Sequence, residues 1–210
     1  MVDSGYLHAT RASYDTVAVD YARRLRDELT TKPWDRAMLA VFAELVRGPV
    51  VDIGCGPGRV AAHLADLGLT VSGIDLSPQM VAVARRSYPE LRFTEGSMLA
   101  LELPDNCLGG VVAWYSLVHT PPEQLPLAFA EFHRVLAPGG HLLLAFKVGD
   151  ERVHLDQAYG LPVSLDVYRF PPNLVAELVR RVGLVEVARL VREADESEKT
   201  PQAFLMARKP

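Results

Sequence analysis

The chain has 210 residues, 49% hydrophobic and 23% charged, with 22 Lys plus Arg against 26 Asp plus Glu and a formal net charge of −4. This composition excludes a disordered tail, a collagen and a coiled coil, and the negative balance offers no long-range attraction to a phosphate backbone or an anionic membrane. Cys55 and Cys107 lack CxxC spacing, so no disulfide framework or metal centre is expected. No apolar run approaches a membrane span, and a single cytoplasmic domain over 1–210 is expected.

In chain order, Tyr14 to Leu29 and Pro33 to Val46 read as helices, the second opening on Pro33 and closing at Gly48-Pro49. They make an N-terminal helical segment over 1–48. Val50 to Ile53 is a β-branched run that breaks into glycines, and Arg59 to Leu67 carries apolar residues at helical spacing before Gly68. Thr70 to Ile74 is a second strand, Ser77-Pro78 caps a helix to about Ser87, and Leu91 to Thr94 is a third strand. Gly110 to Tyr115 is the fourth strand and Glu123 to Leu136 its helix. Ala137-Pro138-Gly139-Gly140 reads as a turn and His141 to Phe146 as the fifth strand. This alternation predicts an α/β fold with a parallel sheet covered on both faces, its core over 49–146. Residues 147–170 then read as a long loop, and 171–210 as a helix from Pro171-Pro172 to Val182 followed by strands at Leu184 to Leu190 and Ala203 to Met206. The polar stretch between those strands, Glu193 to Pro201, reads as a solvated connection.

The strongest chemical signal is Val50-Val51-Asp52-Ile53-Gly54-Cys55-Gly56-Pro57-Gly58, a strand running through a glycine turn into a helix. Glycine permits positive φ and removes the Cβ that would hold a ligand away, while the helix start offers unpaired N–H groups, so a polar or anionic ligand is expected there. A dinucleotide fingerprint wants its third glycine at position 59, which is Arg59, so NAD is the weaker reading. Asp75 ends the second strand seventeen residues after Gly58, where an acid can accept hydrogen bonds from both hydroxyls of a ribose.

With the late Arg134-Val135-Leu136-Ala137-Pro138-Gly139-Gly140 segment, these motifs resemble the class I S-adenosylmethionine-dependent methyltransferases of small-molecule type. The resemblance implies a three-layer, Rossmann-like sheet of seven strands in the order 3-2-1-4-5-7-6 with strand 7 antiparallel. It implies S-adenosylmethionine as cofactor, with its methionine end over Asp52, Gly54, Cys55, Gly56 and Gly58, its ribose on Asp75 and its adenine near the loop after strand three. There Ser97 stands where the family often has Asp, Met98 and Leu76 would sandwich the ring, and Tyr115 would form a cofactor-pocket wall. The thiols of Cys55 and Cys107 read as inert. The N-terminal helix would lid the cofactor through Tyr14 and Tyr21, which lie seven apart on one helical face.

His119 closes strand four in Trp114-Tyr115-Ser116-Leu117-Val118-His119 and is placed to act as general base or orienting donor. The candidate catalytic residues are His119, Tyr14 and Arg169, the last expected to hold an acidic substrate group from the 147–170 acceptor-side loop. Expected partners are a small-molecule acceptor and, compatible with the resemblance, a second copy of the chain; nucleic acid and membrane are not expected. Rival readings are a cofactor-binding sensor or inactive partner subunit, and, more weakly, an NAD-dependent reductase.

Overall fold

The computed structural model describes residues 4–210. Its centre is a seven-stranded sheet ordered β3-β2-β1-β4-β5-β9-β8. The strands are β1 Val50–Ile53, β2 Val71–Asp75, β3 Arg92–Glu95, β4 Leu108–Trp114, β5 Leu136–Lys147, β8 Val185–Arg192 and β9 Gln202–Arg208. β1 to β5 run parallel, and β9 is antiparallel to both β5 and β8. Setting aside a separate hairpin, β6 Arg152–Ala158 with β7 Leu161–Tyr168, this is the expected 3-2-1-4-5-7-6 order.

Among the described residues six α-helices surround the sheet: α1 Ser4–Leu25, α2 Pro33–Leu45, α3 Arg59–Asp66, α4 Pro78–Ser87, α5 Leu125–Val135 and α6 Pro172–Arg181. Two cores form because successive strand residues point to opposite faces. Val51, Ile53, Val111 and Leu144 pack with Phe129 and Phe132 of α5 and Val175 and Val179 of α6. On the other face Val50, Val112, Leu143 and Phe204 pack with Leu39 and Phe42 of α2 and Leu64 of α3. Strands apolar on both faces, such as the fully buried β4, are the consequence of this double cover.

Several boundaries differ from the sequence expectation. Residues 147–170 are not a loop: β6 and β7 pair antiparallel from Arg152↔Tyr168 to Ala158↔Leu161. Tyr159 and Gly160, with φ of 57° and 83°, make the two-residue turn whose twist suits a hairpin. The alternation Leu161, Val163, Leu165, Val167 against Pro162, Ser164, Asp166, Tyr168 carries that strand. The first helix starts at Ser4, ten residues before Tyr14, and ends at Leu25. Gly139 and Gly140 belong to β5 because the Gly139 N–H donates to the Lys209 carbonyl and the Lys209 N–H to that of Gly140. No helix among the described residues is long and apolar enough to cross a membrane.

Candidate functional site

The carboxyl ends of β1, β2 and β4 open into one cleft that α1 walls on the far side, enclosing about 750 Å³ of space including its solvent-open mouth. A crevice at the carboxyl edge of a parallel sheet is where ligands sit in open α/β folds. The turn after β1 forms its floor through Gly54 and Gly56, both at positive φ (72° and 54°). These two glycines have different physical reasons. A Cβ on Gly54 would lie 2.3 Å from the Cβ of Ser116, so glycine there allows the β1 and β4 ends to approach. A Cβ on Gly56 would meet only the Tyr21 ring edge at 3.8 Å, so that backbone is bare toward the cleft.

Gly58, by contrast, does not line the cleft. It caps α3 at φ 87°, and a Cβ there would strike the Phe93 ring at 2.7 Å, which makes it a packing glycine. Cys55 is also turned away: it is buried, with its sulfur under Gly73, and burial pushes its thiol well up. Both were expected at the cofactor, and the structure gives both side positions to the packing behind the turn.

Asp75 lines the cleft at the end of β2. Its Oδ2 accepts the Gly56 N–H at 2.7 Å and its Oδ1 the Ser77 N–H at 2.8 Å, so the acid holds the glycine turn. Burial pushes its pKa up to about 6, against the lowering effect of those N–H donors. Asp52 does not line the cleft; it is buried at 1% exposure, and its carboxylate has no side-chain hydrogen-bond partner. Burial raises its pKa to about 7, opposed by Arg59 and reinforced by Asp75. Arg59 in turn pairs with Glu28 at 2.6 Å.

Leu76, Ser97, Met98, Tyr115 and Tyr21 all line the cleft. The Met98 sulfur accepts the Thr120 hydroxyl at 3.5 Å, and Tyr115 sits at φ 55°, a left-handed conformation uncommon for a bulky residue and one that recurs at functional sites. Trp114, Tyr115 and Ser116 each carry a buried polar atom (Nε1, Oη, Oγ) with no hydrogen-bond partner among the described residues.

Tyr14 and His119, far apart in sequence, meet across the cleft with the Tyr14 hydroxyl 2.6 Å from His119 Nε2. His119 Nδ1 lies 2.8 Å from the Asp166 carbonyl in β7, and burial lowers the imidazole pKa to about 4. Tyr14 also meets the Tyr21 ring edge-on at 5.9 Å, and Tyr21 meets Tyr159 of the hairpin turn at 5.1 Å. Arg169 is not part of this group: β7 ends at Tyr168, and Arg169 beyond it pairs with Glu151 at 3.3 Å and does not line the cleft. Lys147, His154 and Tyr168 do not line it either; the hairpin contributes its backbone at Asp166.

Residues that the sequence did not single out hold α1 in place. Ser13 exchanges hydrogen bonds with Ser164, its hydroxyl accepting the N–H at 3.0 Å and lying 3.2 Å from the carbonyl. Asp15 accepts the Ser77 hydroxyl at 2.6 Å and the Gln79 N–H at 3.1 Å, at the start of α4. Polar residues in mid-helix were the available signal, because side chains of this type in a helix interior need partners elsewhere.

Comparisons with known proteins agree with this architecture. Residues 50–140 match the family described as a methyltransferase domain. The demethylmenaquinone methyltransferase of Chlorobaculum tepidum is 39% identical over 92 residues, 43% of this chain and 37% of that protein. The malonyl-[acyl-carrier protein] O-methyltransferase of Pectobacterium atrosepticum is 32% identical over 129 residues, 61% of this chain and 50% of that one. The matches thus span half or less of those relatives' length. Among solved structures, the DhpI–SAH complex superposes over all of both chains with a TM-score of 0.77 at 20% identity. The 1,6-didemethyltoxoflavin-N1-methyltransferase of Burkholderia thailandensis, solved with its substrate and S-adenosylhomocysteine, covers all of this chain and 91% of that one, with a TM-score of 0.74 at 21% identity. Residues 50–140 match a methyltransferase domain, and the chain that carries them has the class I, Rossmann-like methyltransferase fold.

Proposed function

We propose that the chain binds S-adenosylmethionine in the α1-walled cleft and transfers its methyl group to a small-molecule acceptor, as one domain over 1–210. The observation that carries this reading is the bare backbone of Gly56 beside Asp75, on a turn inside the segment that matches a methyltransferase domain. The residues present suit this cofactor. Asp75 retains acceptor capacity for a ribose diol, and Ser97, Met98 and Leu76 offer one polar and two apolar surfaces for a base. When bound, the cofactor supplies an electrophilic methyl on a sulfonium, so the protein's work is alignment and exclusion of water. Tyr14 and Tyr21 of α1, with the Tyr159 turn behind them, form the wall that would exclude it.

The relatives' printed names span a demethylmenaquinone, a carrier-bound malonyl group and the N1 of a didemethyltoxoflavin, which supports a small acceptor without selecting one. Calorimetry with S-adenosylhomocysteine tests the cofactor half. Micromolar or tighter binding is expected, with a loss of about 2–4 kcal/mol in Asp75→Ala, two charge-assisted hydrogen bonds discounted for the water that replaces them. No binding to the wild-type chain, or unchanged affinity in the variant, would refute it.

A further inference from the structure

We propose that Tyr14 and His119 form a two-residue proton relay, Tyr14 receiving the acceptor's proton as its own passes to His119, and that the acceptor is therefore a neutral O–H or N–H group. This rests on the cofactor reading above and extends it to the substrate class.

The direction of both hydrogen bonds is fixed by chemistry. A backbone carbonyl can only accept, so at 2.8 Å from the Asp166 oxygen it is Nδ1 that carries the hydrogen. The groups facing the ring are Tyr14 from α1, Lys147 from β5 and Asp166 from β7; burial and Lys147 oppose a charged imidazole, Asp166 favours one, and burial prevails. The neutral ring with Nδ1–H leaves Nε2 as a bare lone pair, so at 2.6 Å the Tyr14 hydroxyl is the donor. Tyr14 is itself desolvated, with Tyr21, Tyr159 and Asp75 adding to the burial that holds its proton on. It is therefore a phenol whose oxygen keeps its acceptor sites on a residue lining the cleft.

The transfer balances on these groups. The acceptor gains the methyl and loses its proton, and the electron pair of the broken sulfur–carbon bond stays on sulfur. The acceptor's proton passes to the Tyr14 oxygen while the Tyr14 proton passes to Nε2. The positive charge that enters on the sulfonium ends on the imidazolium, so the transfer leaves the net charge of the buried site unchanged. A neutral acceptor needs this outlet, whereas a carboxylate or thiolate has no proton to lose and would leave the dyad without a task.

Two measurements test this on the full chain. In 15N-histidine spectra with S-adenosylhomocysteine present, His119 should show a protonated Nδ1 and a bare Nε2 from pH 5.5 to 8. The Nε2 resonance should shift in Tyr14→Phe. A protonated Nε2, or an imidazolium at pH 7, overturns the relay. With S-adenosylmethionine, phenol, aniline, benzoate and thiophenolate serve as acceptor probes on one ring. Transfer to phenol or aniline, with kcat lowered about 10²-fold or more in Tyr14→Phe and cofactor affinity retained, is the expected result. Transfer confined to benzoate or thiophenolate, or a Tyr14→Phe effect on cofactor affinity alone, overturns the proposal. Absence of S-adenosylhomocysteine binding with the tautomer intact overturns the cofactor reading instead, so the two failures are distinct.

Discussion

Cofactor binding should release protons, because two buried acids near the glycine turn are held partly neutral in the free chain. Asp52 has its pKa raised to about 7 and Asp75 to about 6, both chiefly by burial. A raised carboxyl pKa stabilises the folded chain fully below the unfolded value and loses that contribution as pH rises through the folded one, here between pH 4 and 7. A bound sulfonium and ammonium reverse the penalty by favouring both carboxylates. At pH 6.5 about three quarters of Asp52 and one quarter of Asp75 are protonated, so binding that ionises both releases about one proton. Between pH 6 and 7.5 the affinity should rise about 16-fold, or ~1.6 kcal/mol, of which Asp52 accounts for about eightfold and Asp75 about twofold. The window ends at 7.5 because an α-amino group begins to lose its own proton near 7.7–8.0. Calorimetry of S-adenosylmethionine in buffers of different ionisation enthalpy counts the protons directly, and Asp52→Asn should remove most of the effect. An affinity flat across this range, with no buffer dependence, would show that the cofactor does not draw charge onto these acids and would refute the reasoning.

Two further outcomes follow from the same geometry. Gly54→Ala should cost at least about 2 kcal/mol, seen as a Tm lower by about 4–8 °C, since it combines positive φ with a 2.3 Å clash on Ser116. Gly56→Ala shares the positive φ but meets only the Tyr21 ring edge at 3.8 Å, so it should lose less Tm than Gly54→Ala and lose cofactor affinity besides; equal Tm losses in the two variants would contradict this division of roles. His119, lowered to about 4 by burial, contributes stability that is complete above pH 6.5 and is lost as pH falls toward 4. Urea unfolding should therefore show wild type losing about 2.5 kcal/mol more than His119→Gln between pH 7 and 4.5, and parallel pH profiles would place the imidazole in contact with water.

The sheet was legible because its signals are local. β-branched runs that break into glycine mark strand ends, and Ser77-Pro78 starts α4 as read, with the Ser77 hydroxyl accepting the Met80 N–H at 3.1 Å. The cleft's floor was legible for the same reason, since Gly54, Gly56 and Asp75 sit where short-range geometry places them. The hairpin was missed because its turn uses Tyr159, which gives no warning of a left-handed φ, and because the alternation of β6 breaks at Gln157, where the register shifts. Arg169 was misplaced as a result: treated as part of a loop it was free to reach the acceptor, whereas pairing of Tyr168 with Arg152 fixes it outside. The start of α1 was illegible because Ser4 to Ser13 mixes Gly, Ser, Thr and His, which favour helix weakly, and its order comes from tertiary contacts.

Ser13, Tyr14 and Asp15 are consecutive, so their side chains leave α1 about 100° apart, and each is claimed by a different element: β7, His119 and the start of α4. A helix tethered in three directions at one level can neither roll nor slide to release one contact while keeping the other two. Displacing it would therefore disturb the hairpin, the imidazole and the start of α4 at once. Tyr14 thus belongs both to the wall of the cleft and to the contact with His119, so the position of α1 and that contact are coupled.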